Sequence, residues 1–236
     1  MKKTLVIIPA YNEEDNILNT LSDLEQHFPE ADVLVVNDCS KDQTLDTLKK
    51  NGINHLNLVS NLGIGGAVQA GYIYARDFGY DVAVQFDGDG QHVAKYLPDL
   101  IRPIEQGEAE ITIGSRFVEK EGFQSTHARR TGIFFLSHLI RLLCGVRIHD
   151  VTSGMRAVNR TYIEAYAADY VLDYPEPEAI FFAGMQGARI REIPVEMRER
   201  KNGKSSISPL RSVYYMAKVS FALVFERMIY HRTERK

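Results

Sequence analysis

The sequence has no tryptophan, only two cysteines and no long uninterrupted apolar run. Cys39 and Cys144 lie far apart without metal-ligand spacing, which argues against a disulfide-stapled scaffold and favours a reduced cytosolic protein. Charged or histidine side chains interrupt the two most apolar segments, residues 133–143 and 213–229. Neither segment reaches the roughly 18 consecutive apolar residues of a membrane-spanning helix. We therefore expect a chain that does not cross a membrane.

The chain also lacks a strong excess of either charge. Its 28 Lys and Arg residues nearly balance 31 Asp and Glu residues, which gives a formal charge of −3. Such a balance carries no global signature of a nucleic-acid-binding protein. The 236 residues are enough for one large α/β domain with a substantial buried core, and we expect a single catalytic domain.

Short apolar runs alternate with helix-length segments from residue 4 to residue 114, which predicts a mostly parallel sheet flanked by helices. After residue 115 the alternation fails, and the elements predicted there are a helix-like stretch over residues 179–187, a strand over residues 188–197 and a final helix over about residues 209–231. Gly52 and Gly79 stand where helix C-caps are expected. The predicted strands of the first half cover residues 4–9, 32–37, 55–60, 81–86 and 110–115, and its predicted helices cover residues 14–27, 42–51, 64–78 and 93–107.

Polar side chains recur at the points where the predicted strands end. Residues 11–13 follow the first strand, Asn37 and Asp38 close the second, Asn61 follows the third, and residues 87–89 follow the fourth. In open α/β sheets, ligands bind outside the carboxyl ends of the strands. We therefore expect these side chains to converge on one crevice.

The segment Asp87-Gly88-Asp89 places two carboxylates at a strand end. Mg²⁺ and Mn²⁺ prefer oxygen ligands and usually take one or two carboxylates together with substrate phosphates. Asp87 and Asp89 are therefore candidate metal ligands, with Gln91 and His92 as further candidates. An ordinary turn has the same pattern, and Asp38 is equally typical of a cap for the next helix. The pattern alone leaves these interpretations open.

Two groups of motifs follow one another along the chain. The first group consists of Pro9-Ala10-Tyr11-Asn12-Glu13, Val36-Asn37-Asp38 with Ser40, Asp42 and Thr44, Asn61 with Gly63, Gly65 and Gly66, and Asp87-Gly88-Asp89. Taken in order, these motifs resemble the inverting glycosyltransferases of family 2, which have the GT-A fold. The second group consists of Gly114-Ser115-Arg116, Asp150 with Ser153-Gly154, and Arg200 with Gly203 and Ser205. It resembles the polyprenyl-phosphate sugar synthase branch, which includes dolichyl-phosphate mannose synthases.

The resemblance covers roughly residues 4–207 and implies a Rossmann-like, nucleotide-diphospho-sugar transferase fold. It implies a catalytic domain over residues 1–208, with a nucleotide-sugar half over about residues 1–115 and an acceptor half over about residues 116–208. Residues 209–236 are expected to form a C-terminal amphipathic helix.

The resemblance also implies roles for individual residues. Asp87, Asp89 and Gln91 would bind a divalent metal, Mg²⁺ or Mn²⁺, and with it the diphosphate. The nucleotide sugar would further contact Pro9, Tyr11, Glu13, Asp38 and Gly63. The acceptor or donor phosphate would contact Arg116, Arg130, Arg200 and Lys204, which would screen the repulsion between two phosphate groups.

Three acidic residues of the second half have open roles. Asp150 is either a general base, which a hydroxyl acceptor would need, or a residue that orients Arg116 or an acceptor loop. Glu176 and Glu178, at the start of a predicted helix, either reach the donor or acceptor sugar or cap that helix.

The expected activity is metal-dependent inverting transfer of a hexose or amino-hexose from a UDP- or GDP-linked sugar to an undecaprenyl-type polyprenyl phosphate. An alternative keeps this donor and uses a hydroxyl of a glycan or lipid-linked oligosaccharide in cell-surface polysaccharide synthesis. A nucleotidyltransferase is disfavoured because no Gly-rich loop with an early basic residue follows the first strand. A nucleotide-sugar-binding subunit without catalytic activity is the remaining alternative.

The amino-acid patterns of two segments indicate contact with a membrane surface. Apolar residues over 133–140 are interleaved with basic ones, and the final helix ends in basic residues. Helices of this kind lie in the headgroup region, although a core helix has the same periodicity. We expect a cytoplasmic enzyme at the inner face of the cell membrane, either bound to lipid or docked on a small membrane partner protein. The sequence leaves open whether the chain forms homo-oligomers.

Overall fold

The computed structural model describes residues 2–119, 127–172, 175–199 and 209–233, and it contains a seven-stranded sheet. The strand order is β3-β2-β1-β4-β6-β5-β7. All pairings are parallel except those of β6, which runs antiparallel to both β4 and β5. The strands are β1 (Thr4–Ala10), β2 (Asp32–Asn37), β3 (His55–Asn57), β4 (Val82–Gln85), β5 (Ile111–Ser115), β6 (Arg156–Asn159) and β7 (Ile190–Pro194).

Helices cover both faces of the sheet, so successive residues of each central strand are buried in opposite directions. In β1, Leu5 and Ile7 belong to one apolar core, while Val6 and Ile8 belong to the other. A short 3₁₀ turn, Ala94–Tyr96, precedes α4. The helices are α1 (Ile17–His27), α2 (Thr44–Lys50), α3 (Gly63–Asp77), α4 (Leu97–Glu105), α5 (His127–Cys144), α6 (Arg160–Ala168), α7 (Pro175–Met185) and α8 (Pro209–Thr233).

The predicted α/β fold with a mostly parallel central sheet is confirmed. Five predicted strands match β1 to β5, and Gly52 and Gly79 adopt φ angles of +65° and +71° at helix ends, as C-cap glycines do. The predicted strand over residues 188–197 is shorter, as β7. The sequence analysis missed β6, because this four-residue strand carries the charged side chain of Arg156 inside its apolar run.

The C-terminal helix α8 packs against α5 and α7. Val219 and Leu223 are fully buried on its inner side, and a Cβ atom on Gly132 of α5 would lie 3.0 Å from the Met216 sulfur. Among the described residues, no helix combines the length and apolar character needed to cross a membrane. The domain boundaries at residues 115 and 208 stay predictions.

Candidate active site

The loops that follow β1 and β2 are fastened to each other by hydrogen bonds. The Asn12 backbone N–H donates to Ser40 Oγ over 3.0 Å, and the Lys41 N–H donates to Asn12 Oδ1 over 2.8 Å. The Glu13 N–H donates to Thr44 Oγ1 over 2.9 Å. Asn12 has a φ of 57°, a left-handed conformation that asparagine tolerates better than most residues. These contacts preform one wall of the crevice.

Asp38 lies at the end of β2 and is 3% exposed. Its Oδ1 accepts a hydrogen bond from the Leu62 N–H over 2.7 Å, and its Oδ2 accepts one from the Gly63 N–H over 2.9 Å. Asn61 Nδ2 donates to the Asp38 carbonyl over 3.0 Å. Asp38 therefore binds the N-terminus of α3, where the helix dipole favours a carboxylate. At the start of the next helix, α2, the Thr44 N–H donates to Asp42 Oδ1 over 3.0 Å, whereas Asp38, the alternative cap of that helix, binds α3.

The other residues expected at the nucleoside differ in accessibility. The Tyr11 side chain is 42% exposed beside the crevice, whereas Glu13 is 8% exposed and its Oε2 accepts a hydrogen bond from Asn16 Nδ2 over 2.8 Å. Pro9 lies within β1, opposite Val36 of β2. Of these residues, Tyr11 presents the most surface to a ligand. The roles assigned to Pro9, Tyr11 and Glu13 stay predictions.

Asp87 follows β4 and is held from three sides. His92 Nε2 lies 3.1 Å from Asp87 Oδ2, and Gln85 Nε2 donates to Asp87 Oδ1 over 3.5 Å. A Cβ atom on Gly154 would lie only 2.2 Å from Asp87 Oδ2, so a residue with a side chain cannot occupy position 154 without displacing the carboxylate. Burial opposes ionisation, but the hydrogen bond and charge of His92 outweigh it and lower the pKa of Asp87. Asp87 is therefore an anion at neutral pH.

Asp89 and Gln91 form the rest of the loop. Asp89 Oδ1 accepts a hydrogen bond from the Gln91 N–H over 3.1 Å. The Gln91 carbonyl accepts one from the Arg198 N–H over 2.8 Å, which ties this loop to the chain after β7. The loop therefore offers carboxylate and amide oxygens on a fixed turn.

This donor set fits a hard divalent cation that substrate phosphates help to bind. Within the described residues, no group of three or more His, Cys, Asp or Glu side chains is arranged to hold a metal ion. A closed structural metal site would need such a group. Two carboxylates and an amide oxygen suit an ion that is shared with a diphosphate.

Arg116 and Asp150 form a buried bidentate ion pair. Arg116 Nε and Nη2 each lie 2.6 Å from an oxygen of Asp150, and the Arg116 backbone N–H donates to the same carboxylate over 3.1 Å. The Asp150 side chain is 0% exposed. Although burial opposes it, this pairing raises the pKa of Arg116. Of the two roles open for Asp150, the geometry favours orienting Arg116, because both carboxylate oxygens are bound to a permanent cation.

A second arginine lies near this pair. Arg129, in the first turn of α5, is within electrostatic reach of Arg116; burial and the repulsion between the two charges lower the pKa of Arg129. Its neighbour Arg130 is partly buried in the same turn. Arg200 and Lys204 lie outside the described residues, and their assignment stays a prediction.

Arg156 is the site residue that sequence reasoning missed. It begins β6 opposite Gln85, is 1% exposed, and donates from Nη2 to the Ser153 carbonyl over 3.0 Å. Its Nη1 donates to the Glu176 carbonyl over 3.3 Å. A charged residue inside the apolar segment Met155 to Val158 was the signal available in the sequence. A buried arginine next to the Asp87 loop places a fixed positive charge behind the crevice.

Comparison with known proteins identifies the family. The profile of glycosyl transferase family 2 matches residues 5–167. An undecaprenyl-phosphate mannosyltransferase of Micrococcus luteus is 33% identical over 215 residues, which cover 87% of this chain and 88% of that protein. A polyprenol monophosphomannose synthase of Mycolicibacterium smegmatis is 31% identical over 217 residues, with coverages of 88% and 82%.

Similarity to a solved structure extends over nearly the whole chain. Glucosyl-3-phosphoglycerate synthase from Mycobacterium tuberculosis, in complex with Mn²⁺, UDP and glucosyl-3-phosphoglycerate, superimposes with a TM-score of 0.72. The sequence identity is 18%, and the superposition covers 96% of this chain and 80% of the other. This likeness confirms the GT-A fold. Together with the matching profile and the identity to the two sugar transferases, it shows that the chain is a glycosyltransferase and belongs to glycosyl transferase family 2.

Proposed function

We propose that this glycosyltransferase moves a hexose or amino-hexose from a nucleotide diphosphate sugar to a polyprenyl phosphate, with inversion and with a divalent metal. The observation that carries the proposal is the Arg116 guanidinium, which Asp150 holds rigidly within electrostatic reach of Asp87. A lipid phosphate must approach a diphosphate leaving group, and a fixed guanidinium offsets the repulsion between them. The names of the two relatives specify a polyprenyl acceptor of this class, undecaprenyl phosphate in one and a polyprenol in the other.

The donor side follows from the loops after β1, β2 and β4. The exposed Tyr11 ring offers a surface for the base, and the fastened loops around it form a preorganised nucleoside pocket. Asp87, Asp89 and Gln91 would hold Mg²⁺ or Mn²⁺ together with the diphosphate. When bound, such an ion supplies Lewis-acid stabilisation of the departing diphosphate. The Mn²⁺ and UDP named for the structural neighbour are consistent with this assignment.

The burial of Asp150 and its contacts with Arg116 favour a phosphate over a hydroxyl as acceptor. A sugar hydroxyl must lose its proton as it attacks, which calls for a general base. Asp150 is fully buried and both its oxygens face Arg116, so it is poorly placed to take that proton. A phosphate monoester is already an anion at neutral pH and can attack the sugar from the face opposite the leaving group without a base.

The direct test is release of nucleotide diphosphate from UDP- and GDP-sugars, with Mg²⁺ or Mn²⁺, in the presence and absence of undecaprenyl phosphate in detergent. We expect release that requires both the metal and the lipid phosphate, because the two phosphate groups must be neutralised together. Release that depends on a glycan hydroxyl and ignores the lipid phosphate would contradict the proposed acceptor. Metal-independent turnover would contradict the role assigned to Asp87 and Asp89.

The outer side of α8 supports peripheral binding at the inner face of the membrane. Tyr214, Phe221, Phe225 and Met228 are 64%, 77%, 64% and 63% exposed, and their spacing places them on one side of the helix. In the neighbouring α5, Phe134 is 66% exposed. Clusters of exposed aromatic side chains on adjoining helices are typical of surfaces that enter the headgroup region.

Replacing Phe221 and Phe225 together by Glu should weaken binding to anionic phospholipid vesicles about 10-fold or more, because both rings lose their apolar insertion. Co-sedimentation with vesicles measures the effect. Phe78→Glu is the matched control, since Phe78 is 58% exposed and follows α3 at the end remote from Gly63. Unchanged vesicle binding by the double variant, accompanied by loss of a dimer in size-exclusion chromatography, would instead assign the face to self-association.

A further inference from the structure

Four buried polar atoms cluster behind Asp87 without a hydrogen-bond partner among the described residues. Burial of such groups without partners is costly, so each of them calls for an explanation. The tyrosine rings of the cluster are close together: Tyr72 and Tyr170 have centroids 5.5 Å apart, and Tyr166 lies 5.1 Å from Tyr170. The four atoms are Arg156 Nε, Gln85 Oε1, Tyr72 Oη and Tyr170 Oη.

Glu176 lies next to this cluster, because Arg156 contacts its backbone. It lies in the first turn of α7, is partly buried, and has its backbone carbonyl hydrogen-bonded by Arg156 over 3.3 Å. Burial raises the pKa of Glu176 and the negative charge of Asp87 adds to the rise, while the Arg156 charge and a hydrogen bond from the Gln85 amide oppose it. The Glu176 carboxyl therefore shares its immediate surroundings with the metal-binding carboxylate. A carboxyl group placed this close to the proposed diphosphate site is a candidate for contact with substrate.

The order of the strands indicates what lies next to Glu176. The nucleoside residues belong to the loops after β2 and β1, the diphosphate and metal residues follow β4, and Arg156 begins the next strand, β6. Arg116 follows β5, one strand further on. A nucleotide sugar laid along this edge places its base at β2 and β1, its diphosphate at β4 and its sugar ring toward β6, next to the acceptor phosphate.

We infer that Glu176, supported from behind by Arg156 and Gln85, contacts hydroxyl groups of the transferred sugar and helps to select that sugar. The inference rests on the proposed function. A carboxylate accepts hydrogen bonds from two neighbouring sugar hydroxyls, and a site that is built to pair with such groups discriminates strongly against a sugar that lacks them in the right position. Arg156 acts as a positioning residue, since its guanidinium joins the Ser153 carbonyl before β6 to the first turn of α7.

Glu178 provides a matched control on the same helix. It is 7% exposed and hydrogen-bonds to Glu226 of α8. The two glutamates are only two positions apart, yet one belongs to the crevice and the other to the contact between α7 and α8. A Glu178→Gln variant keeps a side chain of the same length that still forms hydrogen bonds, and it should alter neither nucleotide affinity nor sugar preference.

The test compares UDP-glucose, UDP-galactose, UDP-N-acetylglucosamine and GDP-mannose as donors to undecaprenyl phosphate in detergent, with UDP and GDP as sugar-free ligands, all with Mn²⁺. In the Glu176→Gln variant we expect the affinity for the preferred free nucleotide to stay within about 2-fold of the unmodified enzyme. The ratio of kcat/KM between the best and the second-best sugar should fall about 10-fold or more. Arg156→Lys should lower the same ratio less, because lysine keeps the charge but not the planar fork. Glu176→Asp serves as a second variant if thermal melting shows that Glu176→Gln has lost its fold.

An unchanged sugar preference in a folded Glu176→Gln or Glu176→Asp enzyme would overturn the inference. An equal loss of affinity for free nucleotide and nucleotide sugar would overturn it as well, because Glu176 would then act on the diphosphate. A failure of the proposed function is distinguishable, since the unmodified enzyme would then turn over none of the donors with undecaprenyl phosphate.

Discussion

Asp89→Asn should lower turnover about 10²- to 10³-fold, as loss of one preorganised group that stabilises transition-state charge commonly does. The substitution removes a full negative charge from the oxygen set that would hold the divalent ion. The asparagine side chain keeps an oxygen that can accept the hydrogen bond from the Gln91 N–H, which is 3.1 Å long in the unmodified protein. The turn itself should therefore persist. Affinity for Mn²⁺ should fall together with turnover, while the unfolding temperature should stay nearly constant.

The measurement is nucleotide diphosphate release with undecaprenyl phosphate over a range of Mn²⁺ concentrations. Asp99→Asn is the control, because Asp99 is a half-exposed carboxylate in α4 that pairs with Arg102 on the surface. It removes the same charge from the chain without touching the crevice. Near-normal turnover of the Asp89→Asn enzyme at low Mn²⁺ would remove Asp89 from the metal site.

The first half of the fold could be predicted because its central strands are buried on both faces, β3 at the edge being the exception. A parallel strand covered by helices on both sides appears in the sequence as a continuous apolar run, such as Val33 to Val36, and turn residues mark its end. The second half could not be predicted in this way. The strand β6 has four residues, runs antiparallel and includes Arg156, so neither its length nor its polarity distinguishes it from a loop.

The convergence of the site residues was predictable, but their individual partners were not. Parallel strands must end at one edge of the sheet, so Tyr11, Asp38 and Asp87 had to be neighbours. The partners of Asp38 are backbone N–H groups 24 and 25 residues away, at the start of α3. Their position depends on how β3 and α3 pack, which no local pattern encodes. The pairing of Asp150 with Arg116, 34 residues earlier, is of the same kind.

Charge along the edge of the sheet changes from negative at β4 to positive at β6 and β5, which suits two phosphate-bearing substrates. The carboxylates of Asp87 and Asp89 follow β4, the buried guanidinium of Arg156 begins β6, and Arg116 follows β5. Each cation is held by protein groups: Asp150 fixes Arg116, while two backbone carbonyls fix Arg156. Because these groups are oriented before substrate arrives, little reorganisation is needed during the reaction.

The buried ion pair allows the structural and functional roles of Arg116 to be separated. Arg116→Met should lower the free energy of unfolding by about 3–5 kcal/mol, because it leaves the fully buried Asp150 carboxylate without its counter-charge. Asp150→Asn should also destabilise the fold, since it leaves a buried guanidinium facing a neutral amide. In the double variant no charge is left uncompensated, so much of the lost stability should return. Urea unfolding of the four proteins measures the coupling between the two positions.

An exposed ion pair provides a reference value for the coupling free energy in this double-mutant cycle. Activity measurements then test the functional role of Arg116. Arg160 and Glu164, 46% and 55% exposed on α6, should show a coupling of only about 0.3–0.5 kcal/mol. If Arg116 meets the lipid phosphate, the stabilised double variant should still have a KM for undecaprenyl phosphate raised about 10-fold or more, because one guanidinium–phosphate contact is absent. Recovery of normal activity together with stability would show that Arg116 serves the fold alone. A coupling as small as that of the exposed pair would contradict the buried geometry itself.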